Sequence, residues 1–321
     1  MKPRLHFAHL PTPVEPMPRA AAFLNGPRLL VKRDDQTGLA FGGNKTRKLE
    51  YLLAEAREQG AETIISAGAV QSNHCRQTAA AASHFGLDCI LVLFGNPPET
   101  PDGNHFLHYL LGAEVVYTSR EEIEVRLEEV FQKAGSEGRK PYLIPYGGSN
   151  PTGALGYVNA MQELADQAVD PDWIVFPSSS GGTQAGMLVG ARRSGYGGKI
   201  LGISVDEPAD VLTGRVASLA TDTAAFIEKD WQFSAGEVLV NDAYIGGGYG
   251  VMGKPEIEAI KLFAEKEALL LDPVYTGRAA AGMIDLIRQG YFAPTETVLF
   301  WHTGGGPALF SRKYQEKLLV R

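Results

Sequence analysis

Short apolar runs alternate with stretches of helical period along almost the whole chain. Runs rich in apolar and β-branched residues predict strands at 29–32, 63–66, 89–93, 114–117, 142–145, 173–176, 200–205 and 298–301. Between them, Leu49, Leu52, Leu53 and Ala56 recur at i, i+3, i+4, i+7, and Ile123, Leu127, Val130 and Phe131 repeat at a similar helical spacing. Strands that alternate with amphipathic helices form βαβ units, so an α/β fold with parallel sheets is expected. There is no internal repeat and no low-complexity linker. The clearest central turn cluster is Gly147-Gly148-Ser149-Asn150-Pro151, and a domain boundary is expected near it.

In open α/β sheets ligands bind beyond the carboxyl ends of the strands. Five such loops are unusual here: Gly42-Gly43-Asn44-Lys45-Thr46, Gln71-Ser72-Asn73-His74, Ser178-Ser179-Ser180-Gly181-Gly182-Thr183, Gly246-Gly247-Gly248-Tyr249-Gly250 and His302-Thr303-Gly304-Gly305-Gly306. In the third, glycines open the backbone to an anion, and Ser180 and Thr183 add hydroxyls where a helix is predicted to start. A phosphate fits there; the bland reading is a solvent-filled turn. Gly38 to Lys45 nearly matches a nucleoside-triphosphate loop, but Asn44 displaces the lysine. Gly248-x-Gly250-x-x-Gly253 matches a dinucleotide fingerprint, yet Pro255 predicts a helix that starts after it. Taken alone, Lys45 would be a solvated surface charge. Its setting after two glycines and before Thr46, Arg47 and Lys48 instead suggests an amine whose pKa is depressed by neighbouring cations, as attack on a carbonyl requires.

Composition narrows the classes. The 321 residues suit about two domains, and 44% hydrophobic against 21% charged residues is ordinary globular usage. Thirty Lys and Arg against 37 Asp and Glu leave a charge of −7 without charge blocks, so nucleic acid and membrane are poor partners and a small molecule is favoured. No apolar run is long enough to span a bilayer, and five prolines interrupt the first 18 residues, so a cytoplasmic protein is expected. Cys75 and Cys89 alone support neither a disulfide framework nor a cysteine zinc site.

A reactive lysine and a separate phosphate cradle on an α/β scaffold suit pyridoxal 5'-phosphate. The motifs Gly42 to Glu50 (GGNKTRKLE), Gln71 to His74 (QSNH) and Asp272 to Gly277 (DPVYTG) resemble the family of D-cysteine desulfhydrase and 1-aminocyclopropane-1-carboxylate deaminase, within the tryptophan synthase β-subunit superfamily. The resemblance runs nearly end to end. It implies fold type II: two open, twisted, mainly parallel sheets with helices on both faces. It further implies a large cofactor-binding domain from 1–47 and 157–321, a small inserted domain from 48–156, and a homodimer.

The same resemblance assigns roles. Lys45 would form the Schiff base and shuttle protons at the substrate's α-carbon. Asn73 would bond the cofactor's phenolic oxygen, and Ser72 the substrate carboxylate. Ser180, Gly181, Gly182 and Thr183 would hold the phosphate, and Thr303 the pyridine nitrogen. Tyr249 and Tyr275 would lie near the reacting amino acid; otherwise each is a half-buried aromatic. Either Lys45 or Ser72 could take the α-proton. The cyclopropane deaminases have a glutamate after the second tyrosine and an apolar residue in the last loop, where this chain has Thr276 and Thr303. A neutral donor at the ring nitrogen gives a weaker electron sink, which favours a substrate with its own leaving group. His74 resembles the D-cysteine branch, with no catalytic role implied.

The leading expectation is α,β-elimination of D-cysteine to hydrogen sulfide, pyruvate and ammonia. Cysteate sulfo-lyase comes second and needs an additional cation, for which Arg278 or Lys48 is a candidate. A non-catalytic anion-binding protein would keep the Ser180 loop but has no use for Lys45.

Overall fold

The computed structural model describes residues 2–319. Ten strands are present: β1 (Val14–Pro16), β2 (Arg28–Lys32), β3 (Thr63–Ala69), β4 (Asp88–Phe94), β5 (Glu114–Thr118), β6 (Pro141–Leu143), β7 (Trp173–Ser178), β8 (Lys199–Ser204), β9 (Leu239–Asn241) and β10 (Thr297–Trp301). The helices are α1 (Pro18–Leu24), α2 (Asn44–Glu58), α3 (Asn73–His84), α4 (Gly103–Leu110), α5 (Ile123–Ser136), α6 (Pro151–Asp166), α7 (Gly182–Ser194), α8 (Ala209–Phe226), α9 (Lys254–Glu267), α10 (Thr276–Arg288) and α11 (Arg312–Leu319).

The strands form two sheets, a six-stranded one in the order β1-β2-β10-β7-β8-β9 and a four-stranded one in the order β5-β4-β3-β6. All pairings are parallel except β1 with β2. The chain leaves the larger sheet after β2, builds the smaller one from residues 63–143, and returns at β7.

Alternate residues of each central strand face opposite helical layers. In the larger sheet Leu29, Val31, Val175 and Phe300 share a core with Phe263 of α9 and Ile284 of α10. Leu30, Ile174, Phe176, Leu299 and Trp301 meet Tyr157 of α6 and Met187 of α7. In the smaller sheet Ile64 and Leu91 pack on Leu49, Leu52 and Leu53 of α2, while Ile65, Ala67, Ile90 and Val92 pack on Val130 of α5. Burial on both faces explains why these strands read as continuous apolar runs.

All eight predicted strands overlap observed ones. The two missed, β1 and β9, are three-residue edge strands, too short for periodicity to register. The run predicted at 142–145 ends earlier, at Leu143, although Ile144 N still donates to Ile65 O at 2.9 Å. Cys75 and Cys89 are free and buried. Among the described residues no helix is long and apolar enough to cross a membrane.

Candidate active site

Loops at the carboxyl ends of both sheets converge on one cleft, the usual place for a small-molecule site in such folds. Lys45 is the second residue of α2, whose start is set by two glycines at φ +62° and +125°. A Cβ on Gly42 would lie 2.1 Å from Asp35 O, and one on Gly43 2.3 Å from Gln77 Nε2, so only glycine lets the backbone pass. Lys45 Nζ donates to Gly147 O at 3.0 Å, and Lys48 Nζ to the same oxygen at 3.1 Å.

Burial depresses Lys45 to about 8. Lys48 is pushed well below the usual lysine range by burial and by the charge of Lys45. This corrects the expected cause, since desolvation rather than surrounding cations lowers Lys45. Arg47 turns away, its guanidinium holding Asp34 at 2.8 Å and Glu163 at 2.8 Å in a buried network.

The pH dependence follows directly. In cofactor-free protein the amine is neutral above about pH 8, so about a tenth is reactive at pH 7, against roughly 0.03% for an ordinary lysine. The rate of covalent cofactor attachment, read by absorbance, is expected to rise about tenfold per pH unit up to pH 7.5 and level off above about 8. A rate still climbing at pH 10 would contradict this.

Ser72 caps α3 and accepts from Cys75 N at 3.1 Å. Asn73 Oδ1 accepts from Asn104 Nδ2 at 2.7 Å and from Arg76 at 3.4 Å, which leaves its own amide N–H groups for a ligand in the cleft. His74 lies buried against the cleft. The Ser66 hydroxyl donates to Ile144 O at 2.9 Å and therefore accepts from His74 Nε2–H, also at 2.9 Å. Burial and the two lysines hold this imidazole well below its ordinary pKa, so it is neutral, and Nδ1 has no partner.

β7 ends at Ser178, and α7 begins one residue after Gly181, which sits at φ +86°. Ser180 Oγ and Ser149 Oγ are 2.8 Å apart, Gly182 N donates to Ser149 Oγ at 3.2 Å, and Thr183 Oγ1 accepts from Asn44 Nδ2 at 3.1 Å. The Ser178 hydroxyl is buried without a hydrogen-bond partner among the described residues. Hydroxyls, a positive-φ glycine and the N-terminus of a 13-residue helix together make an anion cradle.

The hydroxyls of Tyr249 and Tyr275 are 2.8 Å apart, and Tyr146 lies near Tyr249. Burial raises the pKa of all three, so all are proton carriers rather than phenolates. Thr303 faces the cleft, and among the described residues its hydroxyl bonds to no protein group, while its carbonyl accepts from Asn44 N at 3.0 Å. Thr276 is different: its hydroxyl donates to Asp272 Oδ1 at 2.8 Å and it is fully buried outside the cleft.

Lys45, Ser72, Asn73, Ser180, Gly181, Thr183, Tyr275 and Thr303 thus line one space. Gly182 stands just behind Gly181, and Tyr249 behind Tyr275. The sequence reading named the loops of Asn44, Ser178 and Ser179 without giving these residues a role, and it missed Tyr146 and Gly147 as lining residues. The available signal for Gly147 was the central turn cluster, which marks a site wall as well as a boundary. Arg278 is not available as a substrate cation. Its donors are spent on Glu256 at 2.9 Å and on the carbonyls of Val205, Gly248 and Val251. Lys48 does not line the cleft either, its amine being held by Gly147 O at 3.1 Å and Ser149 Oγ at 3.3 Å.

A neutral-capable amine, a cradle with an orphaned hydroxyl, an amide donor and a free threonine hydroxyl fit the aldehyde, phosphate, phenolic oxygen and ring nitrogen of pyridoxal 5'-phosphate. Among the described residues no cluster of His, Cys, Asp and Glu is placed to hold a metal.

Residues 5–304 match the model of a family described as pyridoxal-phosphate dependent enzymes. The chain is 38% identical to a protein solved as an ACC deaminase homologue, with a TM-score of 0.90 over 99% of this chain and 96% of the other. A fungal L-serine ammonia-lyase from Rhizomucor miehei shares the fold at 18% identity, with a TM-score of 0.70 over 97% and 99% of the two chains. Threonine deaminase isoform 2 from Solanum lycopersicum does so at 18% identity, with a TM-score of 0.68 over 96% and 82%. The chain belongs to the pyridoxal-phosphate dependent enzyme family, and its fold is that of the fold type II enzymes.

Proposed function

We propose that this pyridoxal 5'-phosphate-dependent enzyme catalyses the α,β-elimination of D-cysteine, with water, to hydrogen sulfide, pyruvate and ammonia. The observation that supports the reading is the absence of a carboxylate from the cleft: among the described lining residues there is no Asp or Glu, and the Thr303 hydroxyl, bonded to no protein group among them, is free to meet a ring nitrogen. When bound, the cofactor withdraws electrons from the substrate's α-carbon, which acidifies its proton and lets a β-substituent depart. A modest electron sink suffices when the leaving group is a thiol, whereas opening a cyclopropane demands more.

The chain's residues then have definite tasks. Lys45 carries the cofactor and, as an amine near neutrality, can hold the α-proton. Ser72 and the amides of its loop orient the substrate carboxylate. Asn73, pinned by Asn104, bonds the phenolic oxygen, the 180–183 loop anchors the phosphate, and Thr303 bonds the ring nitrogen. The linked hydroxyls of Tyr249 and Tyr275 deliver a proton to the departing sulfur. Cysteate is the second reading, weakened because Arg278 and Lys48 cannot serve its sulfonate. A homodimer, and a division into 1–47 with 157–321 and an inserted 48–156, belong to the same proposal.

The deciding experiment is a panel of D-cysteine, L-cysteine, cysteate, β-chloroalanine and the cyclopropane substrate, with sulfide, sulfite and 2-oxoacids measured. Sulfite from cysteate in excess of sulfide from D-cysteine would replace the reading. Tyr249→Phe and Tyr275→Phe are each expected to lower sulfide turnover about 10- to 100-fold. Each also loses one buried hydrogen bond, about 1 kcal/mol, so melting temperature should fall by only a few degrees. Turnover unchanged in both would return the pair to a packing role.

A further inference from the structure

The loops after β5 and β8 meet behind the tyrosine cluster. Arg120, two residues beyond the smaller sheet's β5, reaches Asp206, two residues beyond β8 of the larger sheet, with nitrogen and oxygen 3.7 Å apart. The guanidinium carbon also lies 5.6 Å from the centre of the Phe94 ring and 5.9 Å from that of Tyr249. The Asp206 side chain is buried close to Ser179, and among the described residues its Oδ1 has no hydrogen-bond partner; Arg120 is 56% exposed. Ser179, Tyr146 and Tyr275 line the cleft, and the charge of Asp206 is felt by all three tyrosines. The ion pair therefore backs the wall on which the tyrosine hydroxyls stand.

We infer that the Arg120–Asp206 pair sets the charge the enzyme accepts on the substrate's β-substituent, admitting a neutral group such as a thiol and rejecting an anionic one such as a sulfonate. The inference deepens the elimination reading and rests on it for the position of the β-carbon. A β-anion near this wall meets a buried carboxylate already short of one hydrogen bond, and it could reach Arg120 only by displacing Asp206. With the carboxylate neutralised, the same guanidinium becomes a forked donor suited to an oxyanion. Sequence spacing shows neither residue, because they lie 86 positions apart and meet only across the two sheets.

The test uses the holoenzyme and reads binding as the cofactor's absorbance change on titration with D-serine and with D-cysteate, so it does not depend on which substrate turns over. Asp206→Asn is expected to raise the affinity for D-cysteate relative to D-serine at least tenfold, and Arg120→Ala in that background to abolish the gain. Arg120→Ala alone, a change at a largely exposed side chain, leaves Asp206 with only the charge of Arg215 to offset it and is expected to lower the relative affinity for D-cysteate at least tenfold. A ratio within twofold of wild type in Asp206→Asn or in Arg120→Ala, or a gain that survives loss of Arg120, overturns the inference. Failure of D-cysteine to release sulfide from the wild-type enzyme is a separate result that touches only the substrate reading.

Discussion

Lys45→Ala is expected to abolish covalent cofactor attachment and to lower turnover by at least about 10³-fold, while the phosphate cradle still binds the cofactor noncovalently. Burial alone would not choose between Lys45 and Lys48, since the latter is the more strongly depressed amine. Position decides. Lys45 lines the cleft, whereas Lys48 lies one turn deeper, its amine held by Gly147 O and, at 3.3 Å, by Ser149 Oγ. Borohydride reduction followed by peptide mass spectrometry should place the cofactor on Lys45, and a label on Lys48 would sink the assignment. Lys45→Ala should leave melting temperature nearly unchanged in the absence of cofactor, because the side chain makes a single hydrogen bond to a carbonyl that Lys48 also holds.

The second large effect concerns the ring nitrogen. Wild-type protein should release sulfide from D-cysteine and yield little 2-oxobutyrate from the cyclopropane substrate. Thr303→Val should lower sulfide release about 10²-fold, ~3 kcal/mol of barrier, the usual effect of losing one preorganised donor at a reacting centre. Valine has nearly the same shape, and the threonine hydroxyl bonds to no protein group among the described residues, so the fold should tolerate it. Installing the deaminases' glutamate by Thr276→Glu is a poorer test than the sequence suggests. Thr276 is buried with its hydroxyl on Asp272, and a second carboxylate there would be forced, buried, against the first, whose oxygens already accept from the N–H groups of Val274, Tyr275 and Thr276. That variant is expected to lose stability, whatever its effect on activity. Ring-opening activity in the wild type equal to its D-cysteine activity would overturn the electronic argument.

The sequence by itself determined the α/β class, the positions of eight strands and the loops that carry chemistry. Central parallel strands are buried on both faces and so read as unbroken apolar runs, while glycines at φ +62°, +125° and +86° are demanded locally by the turns before α2 and α7. Lys45, Asn73, Ser180 and Thr303 were legible for a related reason: each stands in, or in the first helical turn after, a loop whose composition no helix or strand would require. Tertiary structure alone decided the electrostatics. Arg47, Lys48 and Arg278 are cations in the sequence, but Arg47 is consumed by Asp34 and Glu163, Arg278 by Glu256 and three carbonyls, and burial disfavours the charged form of Lys48. Whether a side chain keeps its charge depends on water and on partners contributed by distant segments, such as Glu163 opposite Arg47 and Gly147 opposite Lys45, and periodicity carries no record of either. The same physics hid Tyr146, Asn104 and the Arg120–Asp206 pair, which become part of the site only when two sheets built from interleaved stretches of chain present their carboxyl ends to one cleft.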